Sequence, residues 1–234
     1  MNLEKINEIF KKAIIEKRKI LTIYESKEIL YHYGIPISKH YLLKNLKDIN
    51  IALKEISFPI ALKISSPQII HKTDIGGIKL NINSKKELIK AYNEIIFNIK
   101  EKFPNISIEG ILIEEMIKKG LEIIIGGIQD PVFGPCIMFG LGGIFVEVYK
   151  DTSFRACPLS LNDALEMIME IKGFPILKGI RGEKPINIEE LCNIIIKLSD
   201  LMIKYENIIS EFDINPIIAS SERIVAVDAR FLLK

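Results

Sequence analysis

Helix-period and strand-period segments alternate along this chain with no repeat, low-complexity tract or flexible linker between them. That alternation restricts it to an α/β or α+β architecture. The helical segments carry their own punctuation. Thr22-Ile23-Tyr24-Glu25 fits a capping box, and the helix it opens is expected to stop at Gly34, with Pro36 just beyond. Ser84-Lys85-Lys86-Glu87 is a second box, opening a helix that runs towards Lys102 before Pro104, and Asn187 opens a further one reaching Tyr205. An N-terminal amphipathic helix over about residues 3–18 presents Leu3, Ile6, Phe10 and Ile14 on one side. Short β-branched runs bounded by Gly or Pro fall between these helices, at residues 59–64, 77–82, 110–117, 121–128 and 136–139. Residues 211–218 and 223–229 read as a final hairpin, and Pro216 predicts an edge position or a strand end. The whole of 1–234 is expected to form one domain of two lobes, a smaller one over about 20–116 and a larger one over about 117–234.

Composition narrows the function classes. An apolar content of 48% with 26% charged residues excludes disorder. A net charge of +2 supplies no concentrated basic face for nucleic acid, and the clusters Lys11-Lys12 and Lys17-Arg18-Lys19 read as the solvated side of the first helix. Cys136, Cys157 and Cys192 lack metal-ligand spacing and read as reduced core thiols. The polar start predicts no signal peptide, and the uncharged stretch 131–146 is too short and too broken by Gly and Pro to span a bilayer. A cytoplasmic protein with no membrane and no nucleic-acid partner is expected.

Several constellations point to chemistry. In the last hairpin, alternation puts Glu211, Asp213 and Asn215 on one strand face and Phe212 and Ile214 on the other. A turn centred between Ser221 and Glu222 makes Asn215 and Asp228 face each other at about 5 Å between Cβ atoms. A carboxylate beside an amide oxygen suits Mg²⁺, which takes few protein ligands plus waters and phosphates; a polar pair on a solvated sheet is the alternative. Lys63 interrupts the apolar run Ile60-Ala61-Leu62-Lys63-Ile64, where a phosphate oxygen would balance its charge, unless it snorkels from the strand end. Glu114-Glu115-Met116-Ile117 closes a strand at the lobe boundary, a place for main-chain groups to meet an adenine edge and for a carboxylate to meet ribose, or simply a strand emerging into solvent. Phe139-Gly140-Leu141-Gly142-Gly143 is neither a Walker loop nor a dinucleotide fingerprint. His71 lies on a loop between strands, where neutral imidazole is a competent nucleophile and Lys72, Thr73 and the amides of Gly76 and Gly77 are placed to hold a phosphoryl group. A merely solvated loop histidine is the other reading.

Together, the blocks Ser66-Pro67 with His71-Lys72-Thr73-Asp74-Ile75-Gly76-Gly77, Phe139 to Glu147, Phe154-Arg155-Ala156-Cys157-Pro158-Leu159, Leu177 to Gly182, Asp213-Ile214-Asn215-Pro216 and Val227-Asp228-Ala229-Arg230 resemble the beta subunits of ADP-forming acetyl-CoA synthetases. The likeness runs in order from about Leu21 to the end. It implies an ATP-grasp fold with nucleotide between two lobes, Mg²⁺ on Asn215 and Asp228, and His71 as a phosphohistidine. It also implies that Lys63 contacts phosphates, that residues 114–117 meet the adenosine, and that Gly76, Gly77 and Arg155 join the nucleotide-binding groups. The implied net reaction is acyl-CoA + ADP + phosphate to acid + ATP + CoA. Many relatives are longer fused chains, so a separate CoA-binding alpha subunit is expected, in a heterotetramer with two copies of each chain. Succinyl-CoA synthetase beta chains are similar in their metal-binding ending. Another ATP-grasp carboxylate ligase and a regulatory nucleotide-binding subunit are the alternatives.

Overall fold

A computed structural model of the chain describes every residue except Ile70, His71, Thr73, Asp74, Lys118, Lys119, Ile144, Phe145, Glu147, Arg181 and Glu183. In order, the elements are α1 (Leu3–Ile15), α2 (Ile23–Tyr33), β1 (His40–Leu43), α3 (Ile49–Ala52), β2 (Ile60–Ser65), β3 (Ile78–Ile82), α4 (Lys85–Lys102) and β4 (Gly110–Glu115). There follow β5 (Leu121–Asp130), β6 (Gly134–Leu141), β7 (Thr152–Ala156), α5 (Leu161–Glu170), α6 (Phe174–Leu177), α7 (Ile188–Lys204), β8 (Ile209–Ala219), β9 (Ile224–Ala226) and β10 (Arg230–Leu233). Among the described residues no helix is long and apolar enough to cross a membrane.

The helix ends follow local chemistry. Ser84 accepts from the amide of Glu87 to start α4, and the Glu87 carboxylate reaches back to the Ser84 hydroxyl and the Asn83 amide. Asn187 caps α7 through the amide of Glu190, and α2 stops before Gly34, whose φ of +83° suits a residue without Cβ.

The chain divides into two compact units, one made of Met1–Leu21, Glu25–Ile37 and Lys119–Lys234, the other of Thr22–Tyr24 and Ser38–Lys118. Most of α2 therefore belongs with the larger unit, although the sequence placed everything from about residue 20 in the smaller. In the smaller unit, a four-stranded antiparallel sheet runs β1-β4-β2-β3. Ile60, Leu62 and Ile64 of β2 and Ile111 and Ile113 of β4 point to one face, where Leu88, Ile95 and Ile99 of α4 complete a core. Each of these side chains is fully buried, worth about 2 kcal/mol apiece. In the larger unit, a six-stranded antiparallel sheet runs β10-β8-β5-β6-β7, with β9 also on β8. Its core includes Ile123 and Ile125 of β5, Ile137 and Phe139 of β6, Phe212 and Ile214 of β8, and the apolar sides of α1, α5 and α7.

Strand β8 lies between β5 and the β9–β10 ladder, so Pro216 is neither on an edge strand nor at a strand end. The strand accommodates it through a bulge. Ile123 of β5 pairs with Ile217 but Ile125 pairs with Ile214, so Asn215 and Pro216 together stand opposite Ile124. Pro216 needs no ladder partner for an N–H it lacks, and its carbonyl accepts from Val227 at 2.9 Å. The Asn215–Pro216 peptide is cis.

Candidate functional site

The bulge decides what the hairpin displays. Along β8 the core residues are Phe212 and Ile214 before it and Ile217 and Ala219 after it. The inward set changes from even to odd numbers, because one extra residue has been inserted against β5. Glu211 and Asp213 are thereby turned to the face away from the helices and are half-buried, while Asn215 is exposed. On the other side of β8 the register stays constant. Ile217 pairs with Ala226 and Ala219 with Ile224 on β9, and Asp213 pairs with Arg230 on β10. In the gap between those strands the Asn215 amide donates to the Asp228 carbonyl at 3.2 Å. Asn215 and Asp228 are therefore opposed, as the expected turn requires.

Asp213, Asp228, Glu211 and Arg230 act on one another. Burial pushes the Asp213 carboxyl above its ordinary range; Arg230, its cross-strand partner, opposes this, whereas Asp228 and Glu211 add to it. Gly126 of β5 is also paired with Asp213, and a Cβ at that glycine would come within 3.3 Å of Met138. The donor set fits Mg²⁺: hard oxygens from Asp213, Asn215 and Asp228, with the crowded carboxylates favoured by a cation.

In the smaller unit, Lys63 on β2 and Glu114 on β4 share the sheet face opposite the α4 core and sit diagonally across the ladder. Both are buried, 5% and 1% exposed, with the Lys63 ammonium 2.5 Å from Glu114 Oε1. The Ser38 hydroxyl donates to Glu114 Oε2 at 3.2 Å. Glu114 is thus a partner of Lys63 within the sheet. Glu115 is engaged as well: its Oε1 accepts from the Lys39 amide and its own amide donates to the Lys39 carbonyl, both at 3.0 Å. The Met116 amide donates to Pro59, so Ile117 carries the next amide of the stretch.

His71 lies outside the described residues; its flanks do not. Ile69 is buried in the smaller unit's core, Ser66 donates to the Ser107 carbonyl at 2.7 Å, and Gln68 accepts from the Ser107 amide at 2.8 Å. Beyond the segment, Gly77 donates to the Lys72 carbonyl and accepts from the Ile64 amide, each at 2.8 Å. A Cβ at Gly77 would stand 2.6 Å from Ile64 Cγ2, while Gly76 takes a φ of +70°. Gly77 is a fixed point against β2, and its amide is already engaged by Lys72. Arg155 is not brought to the acidic row. It pairs with Ile137, whose side chain is in the core, and its guanidinium meets Glu170 of α5 at 2.7 Å on the helix-covered side of the sheet.

The family model described as the ATP-grasp domain matches residues 12–233. The beta subunit of acetate–CoA ligase [ADP-forming] I from Pyrococcus furiosus is 48% identical over 229 residues, covering 98% of each chain. The chain belongs to the ATP-grasp family, in its branch of ADP-forming acetate–CoA ligase beta subunits. A solved acetyl-coenzyme A synthetase 1 of Ca. Korarchaeum cryptofilum, in complex with coenzyme A, Ca-AMPCP and HgCl⁺, matches with a TM-score of 0.92 at 45% identity, covering 97% of this chain and 99% of that one. The same protein with coenzyme A and Mg-AMPPCP, its phosphohistidine segment pointing towards the nucleotide binding site, matches with a TM-score of 0.86 at 41% identity, covering 98% of this chain and 100% of that one.

In this ATP-grasp chain, sequence reasoning left Asp213 without a role although alternation had placed it beside Asn215. Its half-burial depends on the pairing of β8 with β5, which no local pattern reports. The Glu114–Lys63 pair was missed for the same reason: the two residues are brought together only by the β2–β4 ladder.

Proposed function

We propose that this chain is the nucleotide-binding beta subunit of an ADP-forming acyl-CoA synthetase, acting with a CoA-binding alpha subunit in a cytoplasmic heterotetramer with two copies of each chain. The reaction is acyl-CoA + ADP + phosphate to acid + CoA + ATP, with acetate as the default acid. The observation that carries this reading is the bulged hairpin, which opposes Asn215 to Asp228 next to Asp213 in a chain alike to these ligases along its whole length.

Asn215, Asp228 and Asp213 would hold Mg²⁺, whose contribution is to neutralise phosphate charge. Lys63 contacts the nucleotide phosphates, and Glu114, itself bonded by Ser38, holds its ammonium in position. Residues 114–117 meet the adenosine. His71 carries the phosphoryl group: a bond from phosphorus to an imidazole nitrogen forms as the bond to the donor oxygen breaks, and that phosphorus–nitrogen bond then breaks as a β-phosphate oxygen of ADP takes the phosphoryl group. The imidazole returns to its starting state, and ADP leaves as ATP. Splitting the transfer in this way removes the need for acyl phosphate and ADP to stand about 3 Å apart. Lys72 and the Gly76 amide would offset phosphoryl charge, since the Gly77 amide already donates to the Lys72 carbonyl.

The test is reconstitution with the partner subunit. Incubation with radiolabelled Mg-ATP is expected to give acid-labile, alkali-stable label on this chain. His71→Ala should bind ADP and assemble normally yet lose both label and ATP synthesis. Near-normal ATP synthesis by that variant would overturn the relay.

A further inference from the structure

Lys27 of α2 is only 1% exposed. A lysine in such a place loses the hydration of its ammonium, and a leucine or methionine would fill the same space without that loss. What the ammonium adds is a charged donor, and its Nζ donates to the Val227 carbonyl at 3.2 Å. Val227 opens the short break between β9 and β10, and the next residue is Asp228.

The surrounding bonds show what this contact completes. The Ala226 amide donates to the Pro36 carbonyl at 2.9 Å, and Ile37 forms a parallel bridge with Ala226, so the segment after α2 holds the end of β9. The Val227 amide donates to Pro216, and the Asp228 carbonyl accepts from Asn215. Asp228 Oδ1 accepts from the Ala229 amide at 2.8 Å, which orients its carboxylate. With its amide and its carbonyl both tied, the 227 residue cannot rotate, and the peptide leading into Asp228 is fixed in space.

We propose that Lys27 is a positioning residue for the divalent cation of Mg-nucleotide, acting through the Val227 carbonyl to keep the Asp228 carboxylate facing Asn215. This rests on the reading of Asp228 as a metal ligand. It is the arrangement in which a group behind a ligand sets that ligand's direction, and losing such a group lowers metal affinity without removing any ligand.

Lys27→Met keeps the stem and removes the ammonium. Calorimetric titration of the full chain with ADP over a series of Mg²⁺ concentrations should show metal-free ADP binding unchanged. The Mg²⁺ concentration needed to reach tight binding should rise by about tenfold. Adding Lys27→Met to Asp228→Asn should shift that midpoint no further than Asp228→Asn alone, because both act on one ligand. If Lys27→Met does not fold, Lys27→Arg, which keeps the charge but moves the donors, should fold and still raise the midpoint several-fold. A folded Lys27 variant with an unchanged midpoint, alongside a shifted Asp228→Asn, would overturn the positioning role and leave the metal site standing. An unchanged midpoint in Asp228→Asn would overturn the metal reading, and this inference with it.

Discussion

Lys63 and Glu114 form a pair in which neither charge can be removed alone without cost to the fold. Taking away one partner of a buried ion pair leaves the other desolvated and uncompensated, at about 3–5 kcal/mol. Lys63→Met is therefore expected to lower the melting temperature, with Lys63→Met/Glu114→Gln recovering much of the loss while ADP affinity stays low in both. Calorimetry and thermal melts separate the two effects, and normal ADP affinity in the double variant would remove Lys63 from the phosphate site. Asp213 gives the opposite sign. Its raised pKa means that the folded carboxyl holds its proton more tightly than the unfolded one, so stability falls as pH rises from the unfolded value near 3.9 through the native value. In EDTA at pH 7, Asp213→Asn should melt higher than the parent, with the gap narrowing as pH is lowered. It should also gain less from Mg-ADP than the parent does. A lower melting temperature in EDTA would show that the carboxylate stabilises the fold. Residue-level reading of the sequence singled out Lys63, Asn215 and Asp228 because charge in an apolar strand and opposition across a turn are local signals. It could not supply the partner of Lys63, since Ser38 and Glu114 are distant in the chain.

At the scale of elements, signals contained in a few residues were readable and those shared between strands were not. The starts of α4 and α7 and the stop of α2 are written in caps and glycines. Strand β1, with four residues, and edge strand β7, with five, are too short to show an alternation. Helix α5 did carry a signal, a Ser160–Asp163 capping box, and it went unread because Asp stands where Glu or Gln is usual. The β8 bulge had no signal beyond Pro216, because it exists only relative to β5. The segment carrying His71 enters from Ile69 and leaves through Gly77, and Gly77 leaves no room for a side chain. Gly77→Ala, forced against Ile64 and the Lys72 carbonyl, should cost about 1–3 kcal/mol. It should slow phosphoryl labelling more than it weakens ADP binding, in rapid-quench and calorimetric measurements. Equal loss in both would mean that the glycine serves the sheet alone.

At the scale of the whole molecule, each unit has a core built from its own residues, with Leu43 to Ile113 in one and Ile6 to Leu233 on either side of it in the other. Amides of β2 and β4 are expected to exchange with solvent through openings different from those of β5 and β8, and their exchange free energies should form two groups. A single value across both sheets would show one cooperative block. The sequence set a lobe boundary near residue 116 and put all of α2 in the smaller lobe; the return of α2 to the larger unit depends on contacts such as Ala226 with Pro36, which no local pattern reports. The bulge at Asn215 and Pro216 also governs how this chain can vary over evolutionary time. Losing one residue anywhere between Ile209 and Asn215 would exchange the two faces of the strand before the bulge, presenting Phe212 to water and driving Asp213 into the core. Insertions and deletions among homologues should therefore be absent from β8 and collect in the exposed turn around Ser221 and Glu222, where an added residue alters no register.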